Sequence, residues 1–250
     1  MVAFSLVGLV ACSGPSTQLP DSSAMPEGFV RLSDMAPDIG QEMRYAGEHN
    51  FVGRPVAGYE EPQCWLTREA ADALIRVQAA VTVQGFSLKV YDCFRPQRAV
   101  SDFVEWAKDP ADDVTRAEFY PRLAKDQLFP LGLIAEKSGH SRGSTVDVTL
   151  VPLGMGVSPT WRVGDAIADC AAPVGVRFAD TSIDMGTGFD CFDPLAATDD
   201  TQITPQQRDN RRILVAGMEA AGFVNLPEEW WHYTLKDEPF PDEYFDAVLR

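Results

Sequence analysis

The sequence predicts an α+β fold in which a central, mostly antiparallel sheet is flanked by helices. Two observations favour it: three segments carry helix-start signals and an apolar face, and short alternating segments lie between and after them. The chain has 250 residues, of which 45% are hydrophobic and 23% charged. This is the composition of a globular protein that can bury a sizeable core.

The first predicted helix covers residues 67–84 and is followed by a strand over residues 87–91. Thr67 can cap the helix and Glu69 favours its positive end, while apolar side chains recur on one face. Gly85 ends the helix. The next residues alternate between polar and apolar side chains, which is typical of a strand.

Arg95 lies between this strand and the second predicted helix, which Pro96 opens and which runs to about Lys108. An arginine at such a junction is well placed to point into a cleft, where it would stabilise an oxyanion. The alternative is a structural ion pair with Asp92 or Glu105.

Residues 145–151 are β-branched and alternating, and they predict a core strand. On this strand Asp147 shares a face with Thr145 and Thr149. His140 lies in the Gly/Ser-rich stretch just before it. A carboxylate would thus sit on a rigid strand, with a histidine reaching in from the preceding loop.

The third predicted helix covers residues 204–220 and starts with a capping box that has proline at its first helical position. Short strands are predicted over residues 223–225 and 229–235. In a regular strand, residues three apart point to opposite faces. A bulge or turn is therefore required if Glu229 and His232 are to act on the same side.

The chain has three histidines, and two of them, His140 and His232, belong to motifs with a carboxylate at a short spacing. His140 and Asp147 have six residues between them, and His232 follows Glu229 by three. Two histidines and one aspartate make a three-ligand zinc site with the fourth position left for water, as a hydrolytic zinc ion needs. Glu229 is the candidate base that activates this water. The alternative is that these histidines are hydrogen-bonded structural residues.

Four motifs carry a family resemblance: Tyr-Asp-x-Phe-Arg-Pro-Gln-Arg-Ala-Val, Ser-x-His-Ser-Arg-Gly-Ser-x-x-Asp, Asp-Met-Gly-Thr-Gly-Phe-Asp and Glu-Trp-Trp-His. In this order they resemble the zinc D-alanyl-D-alanine dipeptidases of vancomycin resistance and peptidoglycan recycling, in peptidase family M15. The likeness runs from about residue 44 to about residue 235. It implies a hedgehog/DD-peptidase-like zinc fold and hydrolysis of D-Ala-D-Ala to two D-alanines.

The resemblance implies one Zn²⁺ per chain, held by His140, Asp147 and His232. Glu229 would take a proton from the attacking water and later pass it to the leaving amine. Arg95 would steady the developing oxyanion, which favours its functional interpretation over the structural ion pair.

Substrate contacts follow from the same resemblance. Ser138 would orient the substrate carboxylate or a ligand. Tyr45 would line the substrate pocket, the alternative being a packed surface aromatic. Asp184 is the candidate that pairs with the free amino group of the substrate. Asp190 and Asp193 are local competitors, and a plain turn is the remaining alternative.

Two other functions stay open from the sequence. A zinc DD-carboxypeptidase acting on longer peptidoglycan peptides would share the ligands, the arginine and the glutamate. A non-catalytic zinc-bearing protein that binds cell-wall peptide is the second, as hedgehog-like relatives of this fold indicate. The presence of Glu229 and Arg95 disfavours this second alternative.

Residues 1–28 are predicted to be a signal or lipoprotein segment with a flexible tether, and residues 29–250 the catalytic domain. The first apolar run ends at Cys12, as in a bacterial lipoprotein signal with a lipidated cysteine. The run is too short to span a bilayer and lacks a basic start. We therefore expect that the natural start lies upstream or that the chain is trimmed. The alternative is an ordinary apolar N-terminus.

Without Cys12, the remaining cysteines are even in number, which suggests two disulfides in an exported protein. Three pairings are open, and we predict the most local one, Cys64–Cys93 with Cys170–Cys191. A cysteine zinc site is disfavoured because no Cys-x-x-Cys occurs. We expect a periplasmic or cell-surface protein, attached to the membrane only through Cys12, that salvages D-Ala-D-Ala. Its cytoplasmic relatives intercept the dipeptide before cell-wall assembly.

The net charge of −16 bears on partners. It disfavours nucleic acid, since little would neutralise the phosphates, and docking to anionic lipid through surface charge. A well-solvated surface is the simpler interpretation of the acidity. The expected partner is the small dipeptide substrate.

Overall fold

The computed structural model describes residues 24–155, 161–162, 164–165 and 167–250. The strands are β1 (Phe29–Arg31), β2 (Gly40–Gln41), β3 (Trp65–Thr67), β4 (Phe86–Asp92), β5 (Thr145–Pro152), β6 (Phe223–Asn225) and β7 (His232–Leu235). The helices are α1 (Leu32–Met35), α2 (Arg68–Thr82), α3 (Gln97–Lys108), α4 (Arg116–Phe119) and α5 (Pro205–Ala220). The predicted lipidation residue Cys12 lies outside the described residues.

Five strands form the central sheet, in the order β2-β4-β5-β7-β6. Strand β2 pairs with β4 in parallel, and the other neighbours pair antiparallel. Strands β1 and β3 form a separate antiparallel pair. The predicted α+β class with a mostly antiparallel central sheet is confirmed.

The long helices begin where their sequence signals place them. Thr67 caps α2 by accepting a hydrogen bond from the Ala70 amide, at 3.3 Å. Thr204 and Gln207 form the predicted capping box of α5. The apolar face of α2 packs against β4 and α5. Among the helices that the structure describes, none has the length and hydropathy of a bilayer-crossing segment.

Two predicted boundaries are corrected. Pro96 has an extended ψ of 145° and is the N-cap of α3, so the helix starts one residue later. The strand predicted over residues 229–235 begins only at His232, because residues 227–231 form turns. The sequence pattern does not reveal this turn, because buried apolar side chains occur both before it and after it.

Two disulfides connect loops to the core. Cys64 is bonded to Cys93 and Cys170 to Cys191, with Cα atoms 5.3 and 5.5 Å apart. The predicted local pairing is confirmed. The first bond joins the residue after β4 to the segment before β3, and the second closes the long excursion that follows β5.

Candidate active site

The three predicted metal ligands lie side by side at one end of the central sheet. Asp147 on β5 is directly opposite His232, the first residue of β7. His140 lies in a 3₁₀ turn just before β5. Gly143 ends this turn with φ of 81°, and a Cβ there would lie 2.2 Å from the Phe29 ring. Only glycine therefore lets the turn pass so close to the core.

The donor atoms of these residues converge. His140 Nε2 lies 3.3 Å from both Asp147 Oδ1 and His232 Nδ1, and the last two atoms are 3.1 Å apart. Ligands bound at ~2.0 Å to a tetrahedral zinc ion lie ~3.3 Å from one another, so the donor types and their spacing fit this metal. His140 Nδ1 donates to the Cys93 carbonyl at 2.7 Å, which leaves Nε2 free to coordinate.

Glu229 lies in the turn before β7. The side-chain amide of Asn225 closes this turn by donating to the carbonyls of Glu229 and His232, at 3.0 and 3.1 Å. As a result, Glu229 Oε2 lies 3.6 Å from His232 Nδ1. The turn that strand alternation required is present, and Asn225 is a supporting residue that sequence reasoning missed.

The position of Glu229 affects its protonation. Burial raises the pKa of Glu229 to about 7, opposed by His232 and reinforced by the negative charge of Asp147. A cation bound to the neighbouring donors would lower this pKa, since opposite charge favours the carboxylate. A carboxyl group that titrates near or below neutral pH suits the uptake and release of a proton.

Arg95 serves both interpretations that the sequence left open. Its Nε donates to Asp92 at 2.8 Å, and the Tyr59 hydroxyl donates to the other oxygen of that carboxylate at 2.6 Å. The terminal Nη2 of the guanidinium lies 3.7 Å from Asp147 Oδ2. The ion pair thus fixes Nε of Arg95 and leaves Nη2 beside the candidate metal ligand Asp147.

A cavity of about 170 Å³ opens beside these groups. It is smaller than the ~300–1,000 Å³ pockets of drug-sized ligands, so it suits a small molecule. Its aromatic wall is formed by Phe51, Phe103 and Phe192. Its charged and hydroxyl-bearing lining residues are Tyr45, Arg95, Lys137, Ser138, Asp147, Asp190, Glu229 and His232. Because both signs of charge face the cavity, it suits a ligand with an anionic and a cationic group.

Asp184 does not line this cavity. Its carboxylate accepts hydrogen bonds from Arg177 and Gln207, at 2.7 and 2.9 Å. Arg177 already neutralises this carboxylate, which disfavours the predicted contact of Asp184 with a substrate amine. Asp193, the other competitor, pairs with Arg122.

Asp190 is the acidic residue of this motif that faces the cavity. Its Oδ2 accepts a hydrogen bond from the Tyr45 hydroxyl at 2.8 Å. Burial and then the charge of Asp147 raise the pKa of Asp190 well above its usual range. An ammonium group in the cavity would reverse this shift by favouring the carboxylate. Tyr45 and Ser138 also line the cavity, where the sequence placed them.

The chain is similar in sequence to known proteins. The family described as D-ala-D-ala dipeptidase, Peptidase M15, matches residues 25–158 and 175–249. A D-alanyl-D-alanine dipeptidase of Streptomyces coelicolor is 37% identical over 225 residues, which are 90% of this chain and 100% of that protein. The dipeptidase of Enterococcus faecium is 34% identical over 226 residues, with the same coverage. The chain belongs to the D-ala-D-ala dipeptidase family.

Proposed function

We propose that this chain hydrolyses the D-Ala-D-Ala dipeptide to two D-alanines with one bound Zn²⁺. The observation that carries the proposal is a small cavity lined by Asp147, His232, Glu229, Arg95 and Asp190. The third candidate donor, His140, is buried next to Asp147 and His232. The relatives' name, D-alanyl-D-alanine dipeptidase, supports the substrate. A free dipeptide is short and carries both an ammonium and a carboxylate group, which matches the size and the mixed charge of the cavity.

Five protein side chains have separate roles in the proposed reaction. Asp190, oriented by Tyr45, pairs with the substrate ammonium, and Ser138 orients the substrate carboxylate. A bound zinc ion supplies a Lewis acid that polarises the scissile carbonyl and lowers the pKa of water. Glu229 takes the proton of the attacking water and passes it to the leaving amine. A terminal nitrogen of the Arg95 guanidinium donates to the oxygen on which negative charge develops.

The test is a comparison of D-Ala-D-Ala with its N-acetylated form and with a pentapeptide that ends in D-Ala-D-Ala. We expect the free dipeptide alone to be cleaved, as measured by release of D-alanine. Cleavage of the longer peptide would identify a DD-carboxypeptidase instead. A zinc-loaded protein that binds the dipeptide and cleaves none of the three would be a binding protein.

Asp190→Asn is expected to raise KM for D-Ala-D-Ala about 10–100-fold, because a charge-assisted hydrogen bond contributes ~1.5–3 kcal/mol. Steady-state kinetics measures this change. Asp184→Asn is the matched control, since it lies in the same motif outside the cavity. If Asp184→Asn raised KM more than Asp190→Asn did, Asp184 would be the residue that contacts the substrate amine.

Asp147→Asn is expected to lower the affinity for Zn²⁺ at least ~100-fold, since loss of a ligand should cost no less than loss of its supporting partner. Competition with a chelator of known affinity measures it, and the wild-type chain should bind one ion. Asp102→Asn, which alters an ion pair with Arg54 away from the site, is the control. Unchanged zinc affinity in Asp147→Asn would exclude this donor set.

A periplasmic or cell-surface location, with lipid on Cys12, is also part of the proposal. The two disulfides support it, because such bonds persist in oxidising compartments. There the enzyme would salvage dipeptide released from peptidoglycan. Fractionation of cells that express the chain with its native leader tests the anchor. A Cys12→Ala protein that stays in the membrane fraction would contradict it.

A further inference from the structure

We propose that the two disulfides position different halves of the active site, an inference that rests on the proposed function. The metal-side disulfide (Cys64–Cys93) holds the group that orients a zinc ligand. The amine-side disulfide (Cys170–Cys191) holds the carboxylate that receives the substrate ammonium. Cys93 and Cys191 are therefore positioning residues for metal binding and for substrate binding, respectively.

The metal-side disulfide fixes the Cys93 carbonyl. Cys93 is the first residue after β4, where sheet pairing ends. Its carbonyl accepts the Nδ1–H of His140 at 2.7 Å, closer than Asp92 Oδ2 at 3.5 Å. On the other side, the Cys64 amide donates to Gln41 Oε1 at 3.0 Å. Since such supporting partners typically change metal affinity ~10–100-fold, a displaced carbonyl should weaken zinc binding.

The amine-side disulfide fixes the segment that carries Asp190. Cys191 directly follows Asp190, and its partner Cys170 accepts a backbone hydrogen bond from Gly188 at 2.8 Å. Cys170 is itself anchored, because its amide donates to the Glu118 carbonyl at 3.0 Å. The covalent bond and the hydrogen bond thus hold Asp190 from both sides.

The backbone of Asp190 explains why this hold is needed. Its φ of 57° lies in the left-handed region, which is uncommon for residues other than glycine, although aspartate adopts it more often than most. Such a conformation persists only where the surroundings determine it. Asp190 is also only 5% exposed as a residue. Without the bond at the next residue, we expect the backbone to relax and the carboxylate to leave its place beside Tyr45.

The experiment compares two pair variants, Cys64→Ala/Cys93→Ala and Cys170→Ala/Cys191→Ala, each the matched control of the other. The first is expected to lower zinc affinity ~10–100-fold in chelator competition, with KM for D-Ala-D-Ala nearly unchanged at saturating zinc. The second is expected to raise KM about 10-fold or more and to leave zinc affinity within 2-fold of the wild type. Equal effects of the two pairs on zinc affinity and on KM would overturn the proposal, because disulfides that only stabilise the fold would not affect the two quantities separately. The absence of any effect would overturn it as well.

A double-mutant cycle adds a readout that a structural role would not move. If the amine-side disulfide acts through Asp190, its removal should raise KM little further in an Asp190→Asn background. If the effects of Asp190→Asn and of disulfide removal on KM were fully additive, the disulfide would not act through Asp190. If one alanine pair does not fold, the other pair variant keeps the disulfide in question as its single disulfide. The same two quantities are then followed while a phosphine reduces that folded variant.

The design also separates this inference from the proposed function. A wild-type chain that binds zinc without cleaving the dipeptide would contradict the function. Zinc competition would still decide the role of the metal-side disulfide, and calorimetric titration with D-Ala-D-Ala would decide that of the amine-side disulfide.

Discussion

Glu229→Gln is expected to lower kcat for D-Ala-D-Ala about 10²–10⁴-fold while the metal stays bound. Glu229 lies 3.6 Å from His232, but it is not one of the three converging donors. Glutamine has nearly the same shape and can still hydrogen-bond, yet it cannot accept a proton from water. The loss should therefore fall on kcat, with little change in zinc affinity.

The control for this variant is the adjacent carboxylate. Glu228 is exposed and does not line the cavity, so Glu228→Gln should keep kcat within about 2-fold of the wild type. Both variants are measured with zinc content determined in the same samples. If Glu229→Gln retained more than a tenth of wild-type kcat with zinc bound, another group would have to be the base.

The pKa of Glu229 also predicts pH effects. The base must be ionised, so kcat/KM should fall as the pH drops through an acidic limb at or below about 7. In the metal-free chain, the folded pKa lies above the ordinary 4.5. Between these values the folded state holds a proton that the unfolded state releases, so stability falls as pH rises. Metal-free Glu229→Gln should therefore gain in Tm over the wild type from about pH 5 to about pH 8. A constant difference in Tm would contradict the shift.

Helix starts could be predicted because their signals are local, whereas the three candidate metal donors are assigned through the family resemblance. The caps at Thr67 and Thr204 depend on residues within one turn, and both occur as expected. The strand that carries Asp147 is recognisable from its own alternation. Its pairing with His232 is not, because register depends on residues that are 85 positions apart in the chain.

The choice between Asp184 and Asp190 could not be made from the sequence for a related reason. Both belong to one short motif, and nothing local distinguishes two aspartates six residues apart. The difference arises from distant partners: Arg177 and Gln207 occupy Asp184, whereas Tyr45 orients Asp190. The placement of Glu229 likewise depends on Asn225 across a turn, which strand alternation does not encode.

Arg95→Lys is expected to lower kcat about 10²–10³-fold, the typical loss when one donor to a developing oxyanion is removed. Lysine keeps the charge but has no planar fork. Its single ammonium group cannot both donate to Asp92 from the Nε position and place a second nitrogen beside Asp147, as the guanidinium does. Because this contact forms mainly in the transition state, KM should change much less than kcat.

Arg98→Lys is the matched control for this substitution. Arg98 lies three residues further along, pairs with Asp246 and does not line the cavity, so its kcat should be unchanged. A structural role for Arg95 would instead lower Tm and leave the kcat of the folded fraction near the wild-type value. The two variants Arg95→Lys and Asp190→Asn should therefore show opposite signatures, one in kcat and the other in KM. If Arg95→Lys raised KM and left kcat unchanged, the arginine would be assigned to substrate binding. An interaction present equally in the ground and transition states affects KM and not kcat.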